Sequence, residues 1–334
     1  MVKYLSCLAV LLLFIIVACN SNNYRDEEYV AIPDFNFPKS TKFKEKLSEY
    51  KIFEGSPADL LPSKDFHLLE LSSTLFTDYS QKQRLVKLPV GTKMKKLTDG
   101  SIEFPNGTIL TKTFFYYNDD RDQSLGKKII ETRLEIKEND VWNIATYIWN
   151  KEQTEATLET NGLETKISWI SENGTMRSTN YQVPTENQCM TCHQSNSKLT
   201  PLGPTLRNLN RIVSRHSSNL NQIEYLQSVG LLNEFDVNQI DYIVDYKNTE
   251  ESLTDRSRAY LDMNCAHCHN PKGWDKSTQR PFDFRYETPL EQTGILRKKE
   301  KVVNTMIRGK MPFIGTTMLD EEGIELLLEF TESL

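Results

Sequence analysis

A chain of 334 residues with 40 basic and 46 acidic side chains carries a net charge of −6. That balance argues against nucleic-acid binding, which needs a basic face against the phosphates, while the length allows two or three domains. No phosphate-binding glycine loop, nucleophile–base pair or paired-carboxylate motif is strong enough to define an enzyme.

The chain opens with Lys3 and an apolar run from Leu8 to Val17. A charged start and a short apolar core read as a secretory signal over residues 1–18, too short and too early to span a bilayer. The run ends in Ile16, Val17, Ala18 and Cys19, which resembles the lipobox of bacterial lipoproteins. Cys19 would then be acylated and become the first mature residue, and Cys7 would be lost with the signal. The expected location is the bacterial cell envelope, lipid-anchored at the outer membrane on its periplasmic face or at the cell surface. Residues 19–65 read as a tether and N-terminal arm, polar at first in "NSNNYRDEEY". Asp26, Glu27 and Glu28 are a solvated linker on one reading and a surface-sorting signal on the other.

From 66 to 183 the pattern has period two. In "TILTKTFFYY" apolar and polar positions alternate after a turn at Asn106 and Gly107, and "KKIIETRLEI", "VWNIATYIWN", "ATLET", "LETKISWIS" and "MRSTNYQVP" continue in the same manner. Short strands at close spacing predict an antiparallel β-rich domain. Trp142, Tyr147, Trp149 and Trp169 read as its core and edge packing, with a ligand cleft as the alternative.

Beyond Pro184 apolar residues recur three and four apart in "NQIEYLQSVGLL", "VNQIDYIVDY" and "DEEGIELLLEFTESL". The fold class expected is therefore α+β and multidomain: the β-rich domain, then mainly α-helical cytochrome c-like segments over 184–250 and 251–334.

Those two segments each hold one copy of a motif, "QCMTCHQ" at 188–194 and "NCAHCHNP" at 264–271. With Cys7 and Cys19 assigned to the signal, all four remaining cysteines belong to the motifs. Outside the cytoplasm free thiols do not persist, so each pair must be a disulfide, a metal site or a covalent attachment. A four-cysteine zinc site and a redox disulfide explain the thiols but not the histidine after each pair. The c-type haem signature explains all three residues: Cys189 and Cys192, and Cys265 and Cys268, form thioethers, while His193 and His269 face the iron. His267, inside the second motif, reads as a loop side chain facing solvent or a propionate.

The strings "LFTDYSQKQR", "FPNGTILTKTF", "ETRLEIKENDVWNIATYIWNKEQTEATL", "YQVPTENQCMTCH", "PLGPTLRNLNR" and "RAYLDMNCAHCHNPKG" resemble an uncharacterised family of bacterial diheme c-type cytochromes with an N-terminal β-rich domain. The resemblance runs from about residue 68 to the C-terminus. It implies two attached haems and electron transfer on the periplasmic side. The stretch from Gly273 to Met306 is shorter than the glycine-rich segment of that family.

For the second haem, "RGKMPFIG" places Met311 beside Pro312, and a Met–Pro loop is the usual distal device of class I cytochrome c domains. Met306 and Met318 read as core fillers. For the first haem the distal candidates are His216, Met176 and Met263, or a vacant position. Six-coordinate irons would pass electrons to an unidentified redox partner protein. An open first iron would instead suit a peroxidase-like enzyme, and a third reading makes the β domain a binding module with a haem relay. The basic run Arg297, Lys298, Lys299 and Lys301 reads as a solvated surface, or as a patch steering an acidic partner.

Overall fold

The computed structural model describes residue 37 and residues 40–196, 198–273 and 281–334. The signal segment, Cys19 and the acidic cluster lie outside the described residues. Among those described, no helix is long and apolar enough to cross a membrane.

The alternating runs form strands β1 (His67–Leu68), β2 (Gln81–Lys87), β3 (Lys95–Lys96), β4 (Ile102–Glu103), β5 (Ile109–Tyr117), β6 (Lys127–Glu138), β7 (Val141–Trp149) and β8 (Ala156–Glu159). Six of them make one antiparallel sheet in the order β1-β2-β5-β6-β7-β8, while β3 and β4 pair separately. Gly107, at φ +87°, supplies the left-handed residue of the turn before β5.

Because side chains alternate across a strand, the sheet has two different faces. One carries Leu85, Leu134, Ala145, Tyr147 and Trp149 and is covered by the N-terminal arm through Leu47, Ile52 and Leu60. Tyr147 Oη donates to the Lys44 carbonyl at 2.7 Å, and Asn143 Oδ1 accepts from Ser40 N at 2.9 Å. The arm is thus a packed layer from residue 40 onward.

The opposite face carries Val86, Leu110, Trp142 and Ile144 and receives the chain beyond Pro184. Beside them the hairpin of β9 (Leu163–Ile170) and β10 (Met176–Val183) lays Ile167, Trp169, Tyr181 and Val183 on Tyr116 and Ile130. Trp142, Tyr147, Trp149 and Trp169 are all buried, as core packing requires.

The expectation of mainly α-helical segments after 184 is overturned. The molecule is mostly antiparallel sheet, and the described residues hold six helices: α1 (Glu186–His193), α2 (Leu206–Leu209), α3 (Gln222–Ser228), α4 (Leu253–Asn264), α5 (Ile295–Ile307) and α6 (Glu321–Ser333). Between 184 and 250 the three helices have 8, 4 and 7 residues and are interleaved with two hairpins. These are β11 (Gln194–Ser195) with β12 (Lys198–Leu199), and β13 (Ile212–Arg215) with β14 (Ser218–Asn221).

The reason is visible at "VNQIDYIVDY", whose helix-like spacing is produced by a largely extended chain. After a single 3₁₀ turn at Val237–Gln239, Ile240 packs in the first core and Ile243, Val244 and Tyr246 in the second. The segment bridges two cores, so its apolar positions answer to two surfaces instead of one helical stripe.

The second core is the helical part. α4, α5 and α6 surround Ala259, Tyr260, Leu261, Val303, Leu327 and Phe330. α4 and α6 approach so closely that a Cβ on Gly323 would lie 2.3 Å from Tyr260 Oη. Tyr260 donates to Asp320 at 2.9 Å, and Asp320 caps α6 by accepting from Gly323 N at 3.0 Å.

The C-terminal segment is fastened back onto the β domain by Asp78. Its carboxylate accepts from Thr317 N at 2.8 Å, Thr317 Oγ1 at 2.8 Å and Met318 N at 2.9 Å.

Candidate functional site

The first motif is built on α1. Thr185 opens it with a reciprocal capping box to Gln188, which fixes the start of the helix at Glu186, three residues before Cys189. Positions three apart on a helix share a face, so Cys189 and Cys192 project together and His193 follows at the last turn. His193 is held from behind: its Nδ1 lies 3.1 Å from the Thr200 carbonyl, and Thr200 N returns a bond to the His193 carbonyl at 2.6 Å. The β11–β12 hairpin exists to make that return.

Strand β6 also reaches His193, with Glu135 Oε1 at 3.7 Å from Nδ1. Burial lowers the His193 pKa to about 3, so the imidazole is neutral. Burial likewise raises the Glu135 carboxyl to about 7 and the Cys189 thiol to about 11.

The second motif turns off the end of α4. Cys265 N and Ala266 N both donate to the Leu261 carbonyl, at 2.9 and 3.0 Å, and His269 N donates to Cys265 O at 2.8 Å. Asn264 Oδ1 accepts from Phe76 N at 2.7 Å, which ties the motif to the β domain. The His269 ring meets the edges of Phe282 and Phe284, each at 5.7 Å between centroids. That aromatic wall is positioned by α4: Arg258 donates to the carbonyls of Arg285, Tyr286 and Thr288, and Asp262 accepts from Tyr286 N at 2.8 Å. Burial raises the Cys265 thiol to about 12.

Burial also raises the Asp262 carboxyl to about 6 against the single bond from Tyr286. A raised carboxyl pKa means that the fold prefers the neutral acid. This contribution is full below about pH 4 and is lost as the pH rises to about 6. Asp262→Asn keeps an acceptor for Tyr286 and removes the charge. It is expected to stabilise the protein by about 1–2 kcal/mol at pH 7 and to leave it nearly unchanged at pH 4. Thermal melts of both proteins across that range check the prediction, and parallel curves would refute it.

The two motifs meet. Ligand atoms of Cys192, His267 and Cys268 all lie within 4.8 Å of one another, and Asn196 N donates to the Lys272 carbonyl at 3.1 Å. The neighbouring Cys268 thiol, and then burial, raise the Cys192 thiol. His267, expected to face solvent or a propionate, stands inside this inter-motif cluster. Only its place between the two cysteines marked it in the sequence. None of the four motif cysteines is joined to another in a disulfide.

The axial candidates separate clearly. His216 is exposed at the left-handed turn of the β13–β14 hairpin, φ +48°, not near the start of a helix. Met176 begins β10 and is 68% exposed. Met263 packs against the first core, which holds Cys189, and its Sδ accepts from Asn208 Nδ2 at 3.1 Å. Met311 packs against the second core together with Cys265 and also lines a groove of about 1040 Å³ under β10. Met306 is buried as a core filler, and Met318 packs beneath the β9–β10 hairpin. Arg297, Lys298 and Lys301 form an exposed part of α5, with Lys299 half-buried.

The residues present fit c-type haem in donor chemistry. Each motif offers two thiols and an adjacent imidazole, and a backbone carbonyl holds Nδ1 of His193 so that Nε2 is left for a metal. Beside Cys189 lies a cavity of about 390 Å³ bounded by Phe43, Trp142, Met190 and Leu199. No family model matches the chain, and no curated protein or solved structure is similar to it.

Proposed function

We propose that the chain is a diheme c-type cytochrome that relays electrons at the periplasmic or outer-membrane side of a bacterial envelope, held there by a lipid on Cys19. The observation that carries the reading is the meeting of two Cys-x-x-Cys-His motifs, with Cys192 and Cys268 within 4.8 Å across the contact. Haem, when bound, supplies one-electron chemistry at iron. Cys189 with Cys192, and Cys265 with Cys268, would attach the two groups, with His193 and His269 as proximal ligands.

The chain's own residues supply orientation and shelter. Thr200 fixes the ring of His193 through Nδ1. Phe282 and Phe284 keep water from the ring of His269. Met311 would take the distal position of the second haem. Met263, in the first core with Cys189, is the better placed of the three side-chain candidates for the first.

A second reading is supported by the same cluster. Cys192, His267 and Cys268 are a donor set that suits Zn²⁺. One measurement separates the two: the full-length protein, made in cells competent for haem attachment, is denatured and its bound chromophore and metals are counted. Two covalent haems per chain and no zinc are expected. Zinc without chromophore would replace the relay with a metal site.

A further inference from the structure

Register places three cations side by side on the sheet face that receives the motifs. Arg84 of β2 is opposite Lys112 of β5, and Lys112 is opposite Arg133 of β6. Lys82 follows one step along the same face. Around the ring of Phe114 stand Arg133 at 4.5 Å, Lys112 at 4.9 Å and Lys82 at 5.9 Å. Like charges directly opposite one another destabilise a sheet.

Compensation within the protein is incomplete. Glu131 binds Arg133 through both oxygens, at 2.6 and 2.9 Å, and also accepts from Tyr181 Oη at 2.7 Å, so its charge is committed. Glu135 stands with Oε1 3.7 Å from His193 and acts on Lys112 and Arg133 through space, without an ion pair to either. Among the described residues the Lys82 ammonium donates only to the Ser80 carbonyl, at 2.9 Å. The Nε of Arg84 is buried without a hydrogen-bond partner, and among the described residues its guanidinium makes no ion pair. The ammonium of Lys112 makes no hydrogen bond or ion pair among the described residues; burial, then Arg84, lower its pKa well below the ordinary lysine value, with Glu135 and Glu131 opposing from a distance. Half-buried cations held against one another, two of them (Arg84 and Lys112) without a direct counter-ion among the described residues, are costly unless an anion completes the group.

We propose that Arg84 and Lys112, backed by Arg133, form a binding site for a carboxylate-class oxyanion beside the first motif. Guanidinium and ammonium groups on adjacent strands can share one carboxylate between them. The anion has two possible sources with the same chemistry: a propionate of the group attached at Cys189 and Cys192, or a small free carboxylate. The first source rests on the cytochrome reading above, and the second does not.

The test uses Arg84→Gln, Lys112→Met and the charge-keeping control Arg84→Lys, all as full-length protein. Covalent haem is counted first, because its absence from the wild type would defeat the cytochrome reading and leave the oxyanion site still open to test. If a propionate is bound, both neutral variants keep two haems, the potential of one haem falls and that of the other stays, and Arg84→Lys restores it. If a free anion is bound, acetate raises the thermal midpoint of the wild type, and the neutral variants bind acetate roughly tenfold or more weakly. The proposal is overturned if potentials are unmoved, acetate has no effect on the wild type, and the neutral variants are simply more stable.

Discussion

Replacing Cys265 and Cys268 together by alanine is expected to leave a protein carrying one covalent haem, attached through Cys189 and Cys192, and to cut bound chromophore to about half. The two motifs sit on different supports, which is why their losses should be separable. α1 is capped by Thr185 and packs on the sheet, whereas the second motif turns off α4 inside its own core. The reciprocal variant, Cys189→Ala with Cys192→Ala, should keep only the second haem and, if Met311 supplies its thioether as proposed, the higher of the two potentials. Counting chromophore and titrating each variant potentiometrically checks both halves. A zinc site at Cys192, His267 and Cys268 would behave differently, because either pair of substitutions removes one of its ligands. Loss of all bound metal from both variants would therefore reject the relay.

Gly323→Ala is expected to destabilise the second segment by about 3 kcal/mol, an overpacking cost at the upper end of its usual range. The new methyl would lie 2.3 to 2.5 Å from Oη, Cζ and Cε2 of Tyr260. Tyr260 has nowhere to go: it is fully buried and its hydroxyl is bonded to Asp320. Opening the crossing would separate α4, which leads into Cys265, from α6. Thermal unfolding checks the size of the effect. Adding Tyr260→Leu should recover part of the loss by removing the ring that the methyl strikes. An unchanged melting point for Gly323→Ala would mean that α4 and α6 do not cross so closely.

The two Cys-x-x-Cys-His motifs are legible because their spacing is local, and α1 and the turn after α4 keep each motif's residues together. Strands β5 to β10 were legible for a similar reason, because each displays its period of two within a single run. The segments after Pro184 were misread where local spacing and tertiary demand part company. Ile240, Ile243 and Val244 imitate a helical stripe while serving two cores. His216 lies a few residues ahead of the helical pattern in "NQIEYLQSVGLL" and reads as an exposed surface histidine or a ligand; it is exposed, and with Ser217, also left-handed at φ +65°, it makes a hairpin turn that the sequence does not announce. The approach of Cys192 to His267 and Cys268 joins residues about 75 positions apart and leaves no trace in either motif. The row of cations is equally silent, because Arg84, Lys112 and Arg133 become neighbours only once strand register is set.

Asp78 and Thr317 are separated by 239 positions, yet one carboxylate holds them together. The polypeptide is thereby closed into a ring by a polar hasp, which the Thr179–Thr317 and Arg177–Glu321 contacts reinforce, and the loop carrying Met311 hangs just inside the closure. The β9–β10 hairpin shares in this closure, since Met318 rests beneath it and Thr179 of β10 is hydrogen-bonded to Thr317 at 2.6 Å. One end of the Met311 loop is therefore pinned to the sheet-bearing half of the chain, at a place that belongs to neither motif.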